Sequence, residues 1–273
     1  MTIPTLLHST AACFSELDAR ERARALLDAG SFRELLDPFQ RVESPHLPPQ
    51  GIVPQSDDGV VVARGLIDGQ QAVVLSIEGN YQGGSIGEVN GAKIAGALEL
   101  ALRDARRGRI IRPVLVLDTG GIRLQEANLG ILSISEMHAA IVELREFVPV
   151  VGIVAGRIGC FGGMGIAAGL CSVLIGSEIG RLGLNGPEVI EQEAGIAELD
   201  ARDRARIWAT IGCRRRYEQG DLDCLVADDA ATIVRSVCET FAEKPGGARS
   251  RAVAERRRRI DEYSLPAAAG GPQ

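Results

Sequence analysis

The chain has 273 residues, of which 45% are hydrophobic and 24% charged, and its formal net charge is −6. That suffices for one sizeable core, or at a stretch for two small domains, and it excludes wholesale disorder. The acidic balance argues against a general nucleic-acid binder, and with Lys93 and Lys244 as the only lysines, any Schiff-base chemistry would have to rest on Lys93.

The first expected element is an amphipathic helix over 15–29, with Ser15 as N-cap and Gly30 as the stop. A linker over 44–54 carries four prolines, which forbid regular structure. Val60-Val61-Val62 and Ala72-Val73-Val74-Leu75 read as strands joined at Ile67-Asp68-Gly69-Gln70, since Asp-Gly between β-branched runs is a strong hairpin signal. A turn, Gly83-Gly84-Ser85-Ile86-Gly87, then opens a helix over about 88–107. A buried strand at 113–117, a polar loop over 118–130, a helix over about 131–146 and a second buried strand at 148–155 follow. Another glycine loop feeds a short helix of small residues, and Val173-Leu174-Ile175 is a third buried strand. Unbroken apolar strands alternating with helices point to parallel pairing covered by helices. The C-terminal part reads as helical and arginine-rich, with a disordered tail from 267 to 273.

The six cysteines never approach within ten positions of one another, so no C-x-x-C pair exists for a zinc ribbon or a dithiol redox site. Three histidines (His8, His46, His138) make a histidine-rich metal site improbable, and no metal is expected. No Met-Lys-Met biotin attachment site is present. The N-terminus lacks a basic segment followed by a long apolar run, so the expected location is the cytoplasm, with reduced thiols. The uncharged run 158–177 holds six glycines and reads as a strand-loop-helix-strand passage rather than a bilayer helix; no membrane partner is expected.

Two glycine loops lie where buried strands end and helices begin: Asp118-Thr119-Gly120-Gly121-Ile122-Arg123-Leu124-Gln125-Glu126 and Gly159-Cys160-Phe161-Gly162-Gly163-Met164-Gly165. Glycines at such points leave backbone N–H groups unobstructed near a helix N-terminus, and two N–H groups from different loops can grip one developing oxyanion. Taken singly, either loop is equally a tight turn that allows close helix-strand packing.

These loops belong to a larger pattern over roughly 59–228. Gly83-Gly84-Ser85-Ile86-Gly87 with Gly91-Ala92-Lys93-Ile94, Gly120-Gly121-Ile122-Arg123-Leu124-Gln125-Glu126, Gly162-Gly163-Met164-Gly165 and Gly186-Pro187-Glu188-Val189-Ile190-Glu191-Gln192 occur in that order. They resemble the Gly-Gly-Ser-Met-Gly, Ser-Gly-Gly-Ala-Arg-Met-Gln-Glu-Gly, Thr-Gly-Gly and Gly-Pro-Arg-Val-Ile-Glu-Gln stretches of the carboxyltransferases of the crotonase superfamily. Within that superfamily the chain resembles the β subunits of biotin-independent malonate decarboxylases. Acetyl-CoA carboxylase carboxyltransferase β subunits are similar in the same region but begin with a four-cysteine zinc ribbon, whereas here Cys13 is the only cysteine before Cys160. Ile122 after the glycine pair and Ala127-Asn128 after Glu126 also depart from the carboxylase pattern.

The resemblance implies an α/β fold, the crotonase (ClpP-like) superhelix of ββα repeats with flanking N- and C-terminal helices. The expected division is an N-terminal helix and linker (1–58), a core (59–228), a helical extension (229–265) and a tail (266–273). The implied activity is decarboxylation of a malonyl thioester to an acetyl thioester, the enolate being held by two N–H donors, one from the Gly120-Gly121-Ile122 turn and the other from Gly162-Gly163. Gly83, Gly84, Ser85, Arg123 and Gln125 are the implied substrate-binding residues. No tightly bound cofactor and no biotin are implied. The substrate rides on the phosphopantetheine-type arm of an acyl carrier protein, and the implied partners are that carrier subunit, a second carboxyltransferase-like γ subunit and an acyl-transferring α subunit.

Several side chains admit two readings. Arg123 either meets a substrate carboxylate or phosphate, or braces its loop through Glu126 three positions on. Cys160 reads as a buried packing residue rather than a nucleophile, and His138 as a surface or packed helix histidine. Glu88 and Tyr81 flank the first turn and are the weakest candidates for a proton donor. The arginines between Arg202 and Arg216 either steer an acidic carrier or form a solvated face paired with Asp200, Asp203 and Glu218. The alternatives to decarboxylation are biotin-dependent carboxyl transfer on acyl-CoA, a hydratase or isomerase with a suitably placed Glu, and a non-catalytic scaffold half.

Overall fold

The computed structural model describes residues 13–56, 58–126 and 128–242; the tail expected over 267–273 lies outside them. Its helices are α1 (Ala19–Leu26), α2 (Glu88–Ala105), α3 (Asn128–Leu144), α4 (Gly162–Leu170), α5 (Pro187–Ala194), α6 (Arg204–Ile211), α7 (Cys213–Glu218) and α8 (Ala230–Ala242). One seven-stranded sheet runs in chain order: β1 (Arg33–Leu35), β2 (Val60–Ile67), β3 (Gln70–Ile77), β4 (Arg112–Val116), β5 (Val151–Val154), β6 (Val173–Ser177) and β7 (Cys224–Val226). β1–β3 pair antiparallel, and every later pair is parallel. The β2–β3 turn is Asp68-Gly69 with φ of 49° and 71°, the double positive φ that a two-residue hairpin turn demands.

Alternation along the strands separates two cores. Val60, Val62, Leu75, Leu115 and Leu117 face α2, α3 and α4; Val61, Val74, Val114 and Val116 face Phe14, α1 and α8. After β3, β4, β5 and β6 the chain makes a second, single-residue pairing before the next helix: Ile86 with Ile122, Thr119 with Cys160, and Cys160 with Leu182, all parallel. This strand-bridge-helix unit is the ββα repeat of the crotonase-like fold. The narrow ladder of bridges is the layer that carries the glycine loops.

Local boundaries differ from the sequence reading for identifiable reasons. Ser15 is not a helix cap, because its hydroxyl donates to Asp228 at 2.6 Å. Asp18 caps α1 instead, accepting from the Glu21 N–H at 2.7 Å while the Glu21 carboxylate receives the Asp18 N–H. α1 ends at Leu26, short of Gly30. The three-residue β1 escaped detection, and within the proline linker Pro48–Gln50 forms a single 3₁₀ turn. The loop expected over 118–130 tightens into a 3₁₀ turn at Leu124–Glu126, and α3 starts at Asn128. No helix among the described residues is long and apolar enough to cross a membrane.

Candidate active site

The first glycine loop leaves β4 at Asp118 and is stitched to the turn that precedes α2. The Gly120 N–H donates to the Gly83 carbonyl at 2.8 Å, the Ile86 N–H to Gly121 at 2.8 Å, and the Arg123 N–H to Ile86 at 2.8 Å. Contact is so close that a Cβ on Gly84 (φ +65°) would lie 2.0 Å from the Asp118 carbonyl oxygen, so only glycine fits there. The Gly121 N–H turns back to its own loop, donating to Thr119 Oγ1 at 3.1 Å.

The second loop leaves β5 and runs against the first. The Thr119 N–H donates to the Gly159 carbonyl at 2.7 Å, and the Phe161 N–H to the Thr119 carbonyl at 3.1 Å. Gly121 (φ +109°) and Gly162 (φ +61°) face each other: a Cβ on Gly162 would lie 3.2 Å from Gly121 Cα and 3.9 Å from the Ile122 nitrogen. The Gly162 N–H is taken by the Leu184 carbonyl at 2.7 Å. At three of the five candidate positions, Gly120, Gly121 and Gly162, the N–H is therefore already taken by an acceptor inside the protein. Neither Ile122 nor Gly163 has an acceptor for its N–H among the described residues. Gly163 lies in the first turn of α4, where helix geometry leaves N–H groups without intrahelical partners.

Asp118 joins the stems of both loops. One carboxylate oxygen accepts from the Ile158 and Gly159 N–H groups at 2.9 and 3.3 Å, and the other from Arg22 of α1 at 3.0 Å. The pair is almost fully buried, at 3% and 4% side-chain exposure, so each charge depends on the other. Gly79 and Gly156 make room for the carboxylate: a Cβ there would sit 2.4 and 1.8 Å from its atoms. Nothing in the local sequence around Arg22 or Asp118 announced this tie across 96 positions.

Arg123 is buried and wholly engaged inside the protein. It pairs with Glu126 at 2.8 Å, and donates to the Ser85 carbonyl at 2.9 Å, Ser85 Oγ at 3.2 Å and the Asp58 carbonyl at 3.3 Å. Glu126 in turn accepts the Glu88 N–H at 2.7 Å, at the start of α2. This is the bracing geometry, and it also occupies Ser85; Gly83 and Gly84 form the wall behind the first loop. Gln125 is exposed beside them. The Glu88 carboxylate accepts from Ser44 and meets His46 Nδ1, and the Tyr81 hydroxyl donates to Gln55, so both are engaged with neighbours.

Cys160 is fully buried, its thiol donates to the Met164 carbonyl at 3.2 Å, and burial pushes its pKa well above the usual thiol range. It is a packing residue at the ladder. His138 is half-buried and donates from Nε2 to the Gly163 carbonyl at 2.9 Å. In the arginine-rich stretch, Arg202 pairs with Asp200, Arg214 with Glu178, Arg215 with Glu218 and Arg216 with Asp221, while Asp203 caps α6. Among the described residues no three His, Cys, Asp or Glu side chains come together as a metal site. What flanks the loops is apolar and exposed: Leu124 at 80%, Leu184 at 62% and Leu132 at 58%.

The carboxyl transferase domain family matches residues 15–260. A malonyl-S-ACP:biotin-protein carboxyltransferase of Malonomonas rubra is 44% identical over 238 residues, spanning 83% of this chain and 73% of that protein. A chain of the Pseudomonas malonate decarboxylase hetero-tetramer, solved in complex with malonate, superposes with a TM-score of 0.87 at 58% identity, covering 96% of this chain and 95% of that one. A chain of the Pseudomonas malonate decarboxylase hetero-dimer superposes with a TM-score of 0.76 at 52% identity, covering 91% and 96%.

Proposed function

The chain belongs to the carboxyl transferase domain family and groups with the subunits of malonate decarboxylase, and on that premise we propose that it decarboxylates a malonyl thioester presented on an acyl carrier protein. The bond between the α-carbon and the carboxylate breaks, CO₂ leaves, and the electron pair passes into an enolate whose charge gathers on the thioester oxygen. A proton then adds to the α-carbon and leaves an acetyl thioester. What the protein must supply is stabilisation of that oxygen. The observation that carries the reading is the pair of N–H groups, Ile122 and Gly163, without acceptors among the described residues, on two loops in van der Waals contact. One such donor is worth about 10²–10³ in rate, or about 3–4 kcal/mol.

No cofactor held by this chain enters the step. The substrate's phosphopantetheine-type arm belongs to the carrier subunit, and biotin is not used. The six cysteines are all free, which supports a reducing compartment and a cytoplasmic enzyme. We assign as partners a second carboxyltransferase-like γ subunit, the carrier subunit and an acyl-transferring α subunit. Exposed Leu124, Leu132 and Leu184 beside the loops support completion of the site by the γ subunit.

A second reading is carboxyl transfer from the malonyl thioester to a biotin protein, favoured by the name of the 44% identical relative. One experiment separates the two. The purified chain, alone and with the candidate γ subunit, is given carboxyl-labelled malonyl-carrier protein, with and without avidin. Labelled CO₂ released in the presence of avidin supports direct decarboxylation. Label that moves onto an added biotin protein, and does not do so once avidin covers the biotin, supports transfer; neither labelled CO₂ nor labelled biotin protein in any mixture refutes both.

A further inference from the structure

The Gly163 peptide is held from one side by α3. An ideal Cβ on Gly163 would lie 2.9 Å from Ile134 Cγ2, so α3 packs directly on the glycine backbone. One turn further, His138 Nε2 donates to the Gly163 carbonyl at 2.9 Å. One turn before Ile134, Gly130 lies so close to the first loop that a Cβ on it would sit 2.4 Å from the Ile86 carbonyl oxygen and 3.0 Å from Ile122 Cγ1. Positions 130, 134 and 138 share one face of a helix and span about 12 Å of its length. A single rigid element therefore touches both Ile122 and Gly163.

We propose that His138 is a positioning residue for the reaction: through its bond to the Gly163 carbonyl it fixes the Gly163 N–H against the Ile122 N–H at the spacing one oxygen requires. It touches no substrate and transfers no proton. The proposal rests on the decarboxylase reading for its kinetic consequence but not for its structural one. Loss of the bond removes the side-chain tie to the Gly163 carbonyl and leaves the first turn of α4 to Ile134 packing and the Gly162–Leu184 backbone bond, so that turn gains freedom. Oxyanion donors act only when preorganised, so the cost appears in the transition state.

The test uses the assembled complex with His138→Leu and His138→Gln, the latter returning an N–H donor near the position of Nε2. With malonyl-carrier protein as substrate, Leu should lower kcat about fivefold, the worth of one hydrogen bond, with KM and Tm little changed, and Gln should restore most of it. Amide hydrogen exchange across 162–170 should quicken in the Leu variant and return in the Gln variant. Equal losses in both variants, no loss in either, or a loss that tracks Tm would overturn the proposal. If the wild-type complex releases no CO₂, the decarboxylase reading fails, and the exchange measurement still decides whether His138 holds the loop.

Discussion

Replacing Asp118 by Asn tests whether the two loops hang on one buried charge. The carboxylate accepts the Ile158 and Gly159 N–H groups on one oxygen and Arg22 at 3.0 Å on the other. An asparagine can keep its oxygen on the two amides, but its NH₂ then faces the Arg22 guanidinium, donor against donor. Arg22 retains the carbonyls of Phe14 and Ser15 yet loses its only ion-pair partner among the described residues, at 3% side-chain exposure. Removing one member of a buried pair costs about 3–5 kcal/mol, a large part of the about 5–15 kcal/mol that holds a domain folded. Urea unfolding followed by the fluorescence of the single tryptophan, Trp208, measures the loss. The double variant Asp118→Asn with Arg22→Met should recover at least about 2 kcal/mol of it, because no unpaired charge remains. A single-variant cost under about 1 kcal/mol, or strict additivity in the cycle, would refute the reasoning.

Gly163→Val places a Cβ 2.9 Å from Ile134 Cγ2. It should lower turnover about 100-fold through donor displacement while Tm falls by only a few degrees; a parallel collapse of both, measured side by side, would favour a purely packing role. Burial raises the thiols of Cys160 and Cys213, the latter to about 12, so iodoacetamide at pH 8 should label exposed Cys13 and spare both; peptide mapping reads this. In the unfolded chain Cys213 ionises near 9.0, whereas in the folded chain it stays neutral until about 12, so its contribution to stability is complete below pH 9 and lost across that interval. Alkaline denaturation followed by circular dichroism should steepen there, and a Cys213→Ala variant should flatten it. Light scattering should find a stable heteromer with the γ subunit, burying more than about 2,000 Å²; a fully active isolated monomer would contradict it.

The parts of the fold that were legible are those set by local rules. Asp68-Gly69 declared its turn because few other pairs adopt two positive φ values, and the apolar runs at β4, β5 and β6 declared strands buried on both faces. Ser15 misled because a tertiary acceptor, Asp228, competed for its hydroxyl. The site divides in the same way. That Gly120-Gly121-Ile122 and Gly162-Gly163 lie where strands end and helices begin was readable from the sequence, and the two loops do meet at Gly121 and Gly162. Which N–H groups stay unpaired was not readable, because it depends on acceptors at Gly83, Thr119 and Leu184 supplied by three separate segments. The Arg22–Asp118 and His138–Gly163 bonds were invisible in the sequence because their partners lie 96 and 25 positions apart.

Strand order that follows chain order has a kinetic consequence. Each strand pairs with its predecessor in sequence, so the sheet can grow by addition at one edge as the chain emerges during synthesis. The Asp118 tie behaves otherwise: it needs α1, made early, and the 158–159 stem, made 40 residues after Asp118 itself. Such non-local closure is slow relative to neighbour pairing. The two glycine loops thus come together only after β5 has docked, and a nascent chain stalled before that point holds four of its seven strands and no contact between the loops.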